Sequence, residues 1–187
     1  MRARLAALRS DERGYSLVEL LTAMSILAAV MTSLTVVLVS ATNADARMNQ
    51  EFQAQTQARM ALERFRREGH AACKAAPAGA ANSITLTYLT AGSCPATGGS
   101  QVSWCTVANG SSRYGLFRTV GGTCSSTTGV KVADYLIVEN AFNYQTTAQQ
   151  RAKVGITLSV NTNPAKVRGT YSLDDDIVLR NTTRSAT

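Results

Sequence analysis

Arg13-Gly14-Tyr15-Ser16-Leu17-Val18-Glu19-Leu20-Leu21 leads into a stretch that decides the fold. No lysine or arginine occurs from Gly14 to Ala46, and Leu17 to Val39 is apolar or small except for one carboxylate, Glu19. As an α-helix, Leu20 to Val39 rises about 30 Å at about 1.5 Å per residue, the thickness of a bilayer's hydrocarbon core. Arg2, Arg4, Arg9 and Arg13 lie upstream and are expected to hold the N-terminus in the cytoplasm by the positive-inside rule. Glu19 is the informative residue. A carboxylate at membrane depth costs about 3 kcal/mol or more, so it persists for a purpose; the plainer reading is a side chain that snorkels to the headgroups near a helix end.

The helical pattern continues past Val39. Neither proline nor glycine occurs from Tyr15 through Glu68, and the composition turns to Ala, Gln, Arg, Glu and Met, which predicts one long helix. Ala54, Ala58, Ala61, Leu62 and Phe65 recur at three- and four-residue steps and are expected to face a sheet, with Arg59, Glu63, Arg66 and Arg67 outward. Residues 15–68 span about 80 Å as a helix, so half of it is expected to project from a domain of this size. Gly69 reads as the helix stop and Ala75 to Ala81, with Pro77 and Gly79, as a loop. Beyond it the period becomes two. Ser83–Leu89, Gln101–Val107, Tyr114–Val120, Val132–Val138, Val154–Val160 and Tyr171–Arg180 are predicted strands, giving an α+β fold of one long N-terminal helix whose second half packs on an antiparallel sheet.

The chain has 187 residues, enough for one domain with an extended element. Its net charge of +7 draws on the four N-terminal arginines, and the rest is spread apart from Arg64, Arg66 and Arg67. A nucleic-acid partner therefore lacks a concentrated basic patch. Cys73, Cys94, Cys105 and Cys124 all follow the apolar stretch without close CxxC pairing, which argues for two disulfides in an oxidising compartment rather than a zinc or redox site. Four cysteines allow three connectivities. The favoured one is Cys105–Cys124 across a hairpin and Cys73–Cys94 near the helix end.

No constellation for catalysis is visible, and no cofactor or metal is expected. His70, the single histidine, stands near Glu68 and Cys73, but a helix C-terminus itself suits histidine and Cys73 is better used in a disulfide. Asp174, Asp175 and Asp176 offer oxygens for calcium, yet consecutive strand residues point to opposite faces, so a solvated turn is the preferred reading. Ser16 and Ser25 lack an accompanying base. Trp104, Tyr114, Phe117 and Tyr135 would suit an exposed surface for DNA or carbohydrate; packing is the commoner role of strand aromatics.

The sequence around Gly14, Tyr15 and Glu19, behind a short basic leader and ahead of an unbroken apolar helix, resembles the processing site of type IV prepilins and type II secretion pseudoprepilins. Tyr15 replaces the usual phenylalanine, and the helix-breaking proline of many type IV pilins is absent. Arg59 to Phe65, Ile84 to Tyr88 and Val178 to Asn181 are similar to PilW-type minor pilins and J-type minor pseudopilins. The resemblance implies a leader at 1–14, a transmembrane and filament-core helix at 15–40, an amphipathic half at 41–69 and a disulfide-bonded head at 70–187. It implies a structural subunit and no enzyme, with a prepilin peptidase, other pilin subunits, an inner-membrane assembly platform and, before assembly, the lipid bilayer as partners. The chain would pass the inner membrane once and then enter a surface or periplasmic filament. Glu19 would pair with a neighbour's N-terminal amine at Tyr15. An adhesin or DNA-binding head on the same anchor is the alternative. Cleavage is predicted between Gly14 and Tyr15: the intact mass of the mature chain should place a methylated Tyr15 at the N-terminus, whereas a chain starting beyond Val39 would mark an ordinary secretory signal.

Overall fold

The computed structural model describes residues 14–77, 79–110, 112–147, 150–163 and 169–182. Arg2, Arg4, Arg9 and Arg13 lie outside them. One helix, α1 (Leu17–Ala71), is followed by nine strands among the described residues. The chain forms two compact units, Met1–Arg47 and Met48–Thr187. In the first, every described residue is exposed. In the second, Ala54, Ala58, Ala61, Leu62, Phe65 and Gly69 form the buried stripe of α1, the spacing expected from the sequence with one addition.

That addition corrects the reading of Gly69. The helix runs two residues past it, and Gly69 is a contact position, because a Cβ there would come within 2.8 Å of the Ile177 side-chain methyl. Glycine serves here for closeness rather than for a turn.

The strands are β1 (Ala72–Ala76), β2 (Gly79–Ala81), β3 (Ser83–Tyr88), β4 (Gln101–Ala108), β5 (Tyr114–Val120), β6 (Val130–Leu136), β7 (Phe142–Thr147), β8 (Gln150–Val160) and β9 (Tyr171–Val178). They join in the order β1-β3-β4-β5-β6-β8-β7-β2, with β9 also on β8, and all pairings are antiparallel. This curled sheet with its helix is the α+β, type IV pilin-like architecture expected. The stretch 75–81, expected as a loop, instead divides between β1 and β2. Its alanines give no alternating pattern, but their backbones pair with β3 and β7. β6 begins two residues earlier than expected, β8 begins at Gln150, and β7 was not anticipated.

The core closes around Phe65, whose ring meets Trp104 edge-on at 5.4 Å and Phe142 at 5.5 Å. Both geometries are favourable for aromatic pairs. Beside them lies a polar node. Glu68 accepts from the Trp104 indole Nε1–H at 2.8 Å and from Arg118 Nε at 2.8 Å, and Arg64 Nε reaches it at 3.4 Å. The Arg118 and Glu68 side chains are each only 16% exposed. Tyr88, half-buried, has its phenol pushed up to about 12, first by burial and then by the negative charge of Glu68. One carboxylate thus joins α1 to β4 and β5 and satisfies the buried indole N–H and a part-buried guanidinium.

Glu68→Ala should lower the stability of this unit by about 2–3 kcal/mol, because it strands the indole N–H and a half-buried guanidinium. Trp104 is the only tryptophan, so urea unfolding of the oxidised chain followed by its fluorescence reads the change directly.

Candidate functional site

The first unit is built around the start of α1. Gly14, Tyr15 and Ser16 precede the helix in extended or irregular backbone, and Leu17 begins it. Leu20 N donates to Ser16 O at 3.1 Å, which makes Ser16 the residue at which the helix starts. Glu19 then stands in the first turn. Ser16 and Glu19 have the spacing of a capping box, yet among the described residues neither side chain bonds the backbone. The Glu19 carboxylate lies close to the positive end of the helix dipole and is open to a partner.

Downstream, the hydroxyls of this apolar stretch are turned inward on the helix itself. Thr22 donates to Glu19 O, Ser25 to Thr22 O, Thr32 to Ala28 O, Ser33 to Val30 O and Thr35 to Met31 O, all at 2.8–2.9 Å. Each bond satisfies a donor that lipid or a packed helix would leave unmet. Leu17 to Val39 is therefore apolar in practice as well as in composition. Its large side chains are exposed, among them Leu20, Leu27, Leu34 and Leu38. The helix is long and apolar enough to cross a membrane.

Residues 9–35 match the family described as prokaryotic N-terminal methylation motif. The match places a prepilin-type motif across the start of α1. The motif joins a type IV pilin-like fold here and implies processing by a prepilin peptidase and assembly with other pilin subunits. The apolar helix fits a membrane-held form before assembly. No curated protein and no solved structure matches.

The second unit holds the remaining candidates. Cys73 is bonded to Cys94 and Cys105 to Cys124, the connectivity favoured from the sequence, and no cysteine among the described residues is free. His70 is partly buried, with Nδ1 3.0 Å from Val178 O, so it fastens the end of α1 to β9. Asp174, Asp175 and Asp176 do not form a turn. They lie in β9, where Asp175 faces α1 and takes a 2.9 Å hydrogen bond from Arg66, while Asp176 is 3.5 Å from Lys153 on the other face. Pairing with β8 along the whole strand overrides the turn propensity of the three acids. Trp104 is fully buried, and Tyr114, Phe117 and Tyr135 are partly so, which removes the exposed aromatic surface considered above.

Of the residues expected outward, Arg66 is part-buried, and Arg59 stays exposed but gains a partner on the sheet. Arg66 pairs with Asp175 and Glu63, and its guanidinium is held above the usual arginine value first by the Asp175 hydrogen bond and charge. Arg59 donates to the Tyr171 hydroxyl at 2.8 Å and lies over its ring at 5.3 Å. The sequence named Glu68 only as a neighbour of His70 and missed its role in the node. Its signal is an acid three residues after Phe65 and directly before Gly69 of the stripe.

The bridges close loops with sequence separations of 21 and 19 residues. Replacing either pair by serines should cost about 3 kcal/mol through restored freedom of the unfolded chain. Urea midpoints of the Cys73→Ser/Cys94→Ser and Cys105→Ser/Cys124→Ser variants check this, and an unchanged midpoint would mean the bridge adds no constraint.

Proposed function

We propose that this chain is a minor pilin or minor pseudopilin, a structural subunit of a type IV pilus or type II secretion-like filament, of the PilW or J type. The observation that carries the reading is the junction of a methylation motif with an apolar helix that is exposed from Leu17 to Val39 and bears one carboxylate, Glu19, with no side-chain partner among the described residues. In this reading residues 1–14 are the leader, 15–40 the membrane and later filament-core helix, 41–69 the amphipathic half and 70–187 the head. The precursor passes the inner membrane once with its N-terminus in the cytoplasm. An assembly platform in that membrane draws the mature chain, beginning at Tyr15, into a periplasmic or surface filament.

Glu19 supplies the register. Freed by cleavage, the Tyr15 amine of one subunit is a cation, and the Glu19 carboxylate of a neighbour is the nearest anion that an apolar core of such helices provides. Each buried alone is costly, and together in good geometry they are tolerated. A mismatch of one helical turn leaves both unpaired. The pairing therefore selects one axial offset between subunits. Chemistry at the head is not part of this function; its disulfides and core keep a surface module folded outside the cell.

Glu19→Ala should leave membrane insertion intact, since removing a charge eases insertion. In cells that also make the wild-type subunit, the variant should be depleted from sheared filaments, because an unpaired ammonium in the core costs about 3–5 kcal/mol. Equal incorporation of the two subunits would exclude the pairing.

A further inference from the structure

The second unit carries a groove that the described residues of its own chain leave open. It encloses about 590 Å³ between the α1 turns bearing Arg59, Met60, Arg64 and Arg67 and the beginning of β6 at Val130 and Lys131. Met60 is 59% and Val130 72% exposed. On one edge β6 pairs with β5 from Val130 to Leu136, whereas on the other it meets β8 only at Leu136. Among the described residues no strand covers the second edge of 130–133. An open strand edge beside exposed apolar side chains is a surface to which another chain adds.

The rim of this groove is cationic in balance: Arg59, Arg64, Arg67 and Lys131 stand against one acid, Glu63, which Arg66 holds at 2.8 Å. Arg64 and Lys131 are tied to Glu68 and Asp134, and Arg59 to Tyr171. Arg67 has no carboxylate partner among the described residues. The complementary charge sits elsewhere on the same chain. Asp174 and Asp176 border a hollow of about 290 Å³ on the outer face of β8 and β9, kept open where Gly155 has no side chain. Asp176 is 3.5 Å from Lys153, but among the described residues Asp174 receives only the Ser172 hydroxyl, at 3.2 Å. The groove and the hollow have no residue in common. A contact between two different surfaces of identical chains is heterologous, and where its rotation does not close, it repeats as a helix.

We propose that the groove between α1 and the open edge of β6 receives the Asp174–Asp176 face of a second copy of this chain, with Arg67 set against Asp174 of that copy. The proposal rests on the filament-subunit reading and adds to it a head-to-head contact. Met60 and Val130 supply the apolar centre, and the charges at the rim fix orientation and make the contact weaken with salt.

The test places a photo-activated cross-linking residue at position 130 of the full-length chain, coexpressed with a tagged full-length copy. The same residue at Val120, 69% exposed and outside the groove, sets the background. A dimer whose joined peptide includes residues 172–176 of the tagged copy is expected. Its yield should fall about tenfold with Arg67→Asp and return when the tagged copy carries Asp174→Arg. No dimer above background, a cross-link to another surface or to a different protein, or no rescue by the exchanged charges would overturn the proposal. Sheared filaments from the same cells separate the two readings. Normal incorporation without the dimer removes the groove contact alone, and the dimer in a chain excluded from filaments removes the filament reading alone.

Discussion

Close approach of α1 to the sheet is the constraint on which the head depends. Ala54, Ala58 and Ala61 lie on the contact stripe, and at Gly69 the Ile177 methyl occupies the space a Cβ would need. Small residues lower the separation at which helix and sheet meet, and Leu62 and Phe65 then reach through the gap to fill it. Phe65 touches aromatic rings from β4 and β7, strands at opposite parts of the sheet order. A bulkier stripe would lift the helix, empty the space around Phe65 and break the aromatic contacts together, since packed interiors adjust little.

The same closeness explains where charge is tolerated. Glu68 follows the stripe toward the sheet, where water cannot satisfy it, and its fit depends on Trp104 and Arg118 arriving from two neighbouring strands that are themselves paired residue against residue, Trp104 opposite Arg118. The node is the product of a strand register. A shift by one residue would turn both donors to the other face. Arg66 with Asp175 and Arg59 with Tyr171 repeat the arrangement along the β9 side of α1. Polar side chains that read from the sequence as a solvated helix face are thus fasteners to the sheet.

Most of the architecture was legible where the sequence has a strong period or a rare residue. The absence of glycine and proline up to Glu68, the alanine spacing from Ala54 and the lone carboxylate at Glu19 each have one simple physical reading. The favoured cysteine pairing coincides with the structure because both bridges close short, local loops. What was hidden depends on pairing at a distance. The backbone of β1 and β2 is held by β3 and β7, so their alanine- and glycine-rich sequence carries no strand signal. The aspartates of β9 look like a turn until β8 is beside them. Gly69 was read by its local habit as a helix stop, while its reason for being glycine lies more than a hundred residues away at Ile177. Glu68 was legible only as an anomaly at the end of an apolar stripe, and naming its partners required the sheet.

The Cys73–Cys94 bridge has a mechanical meaning. Cys73 follows the last residue of α1 by two positions and lies in β1, so tension along the helix axis enters the sheet next to a covalent tie. The segment that this bridge closes at a sequence separation of 21, and the one that Cys105–Cys124 closes at a separation of 19, cannot pay out under load. At about 3.5 Å per extended residue, each bridge withholds roughly 65–75 Å of contour. A head pulled by its helix would therefore yield first in segments outside the two loops, and would lengthen in short steps rather than unravel along its whole chain.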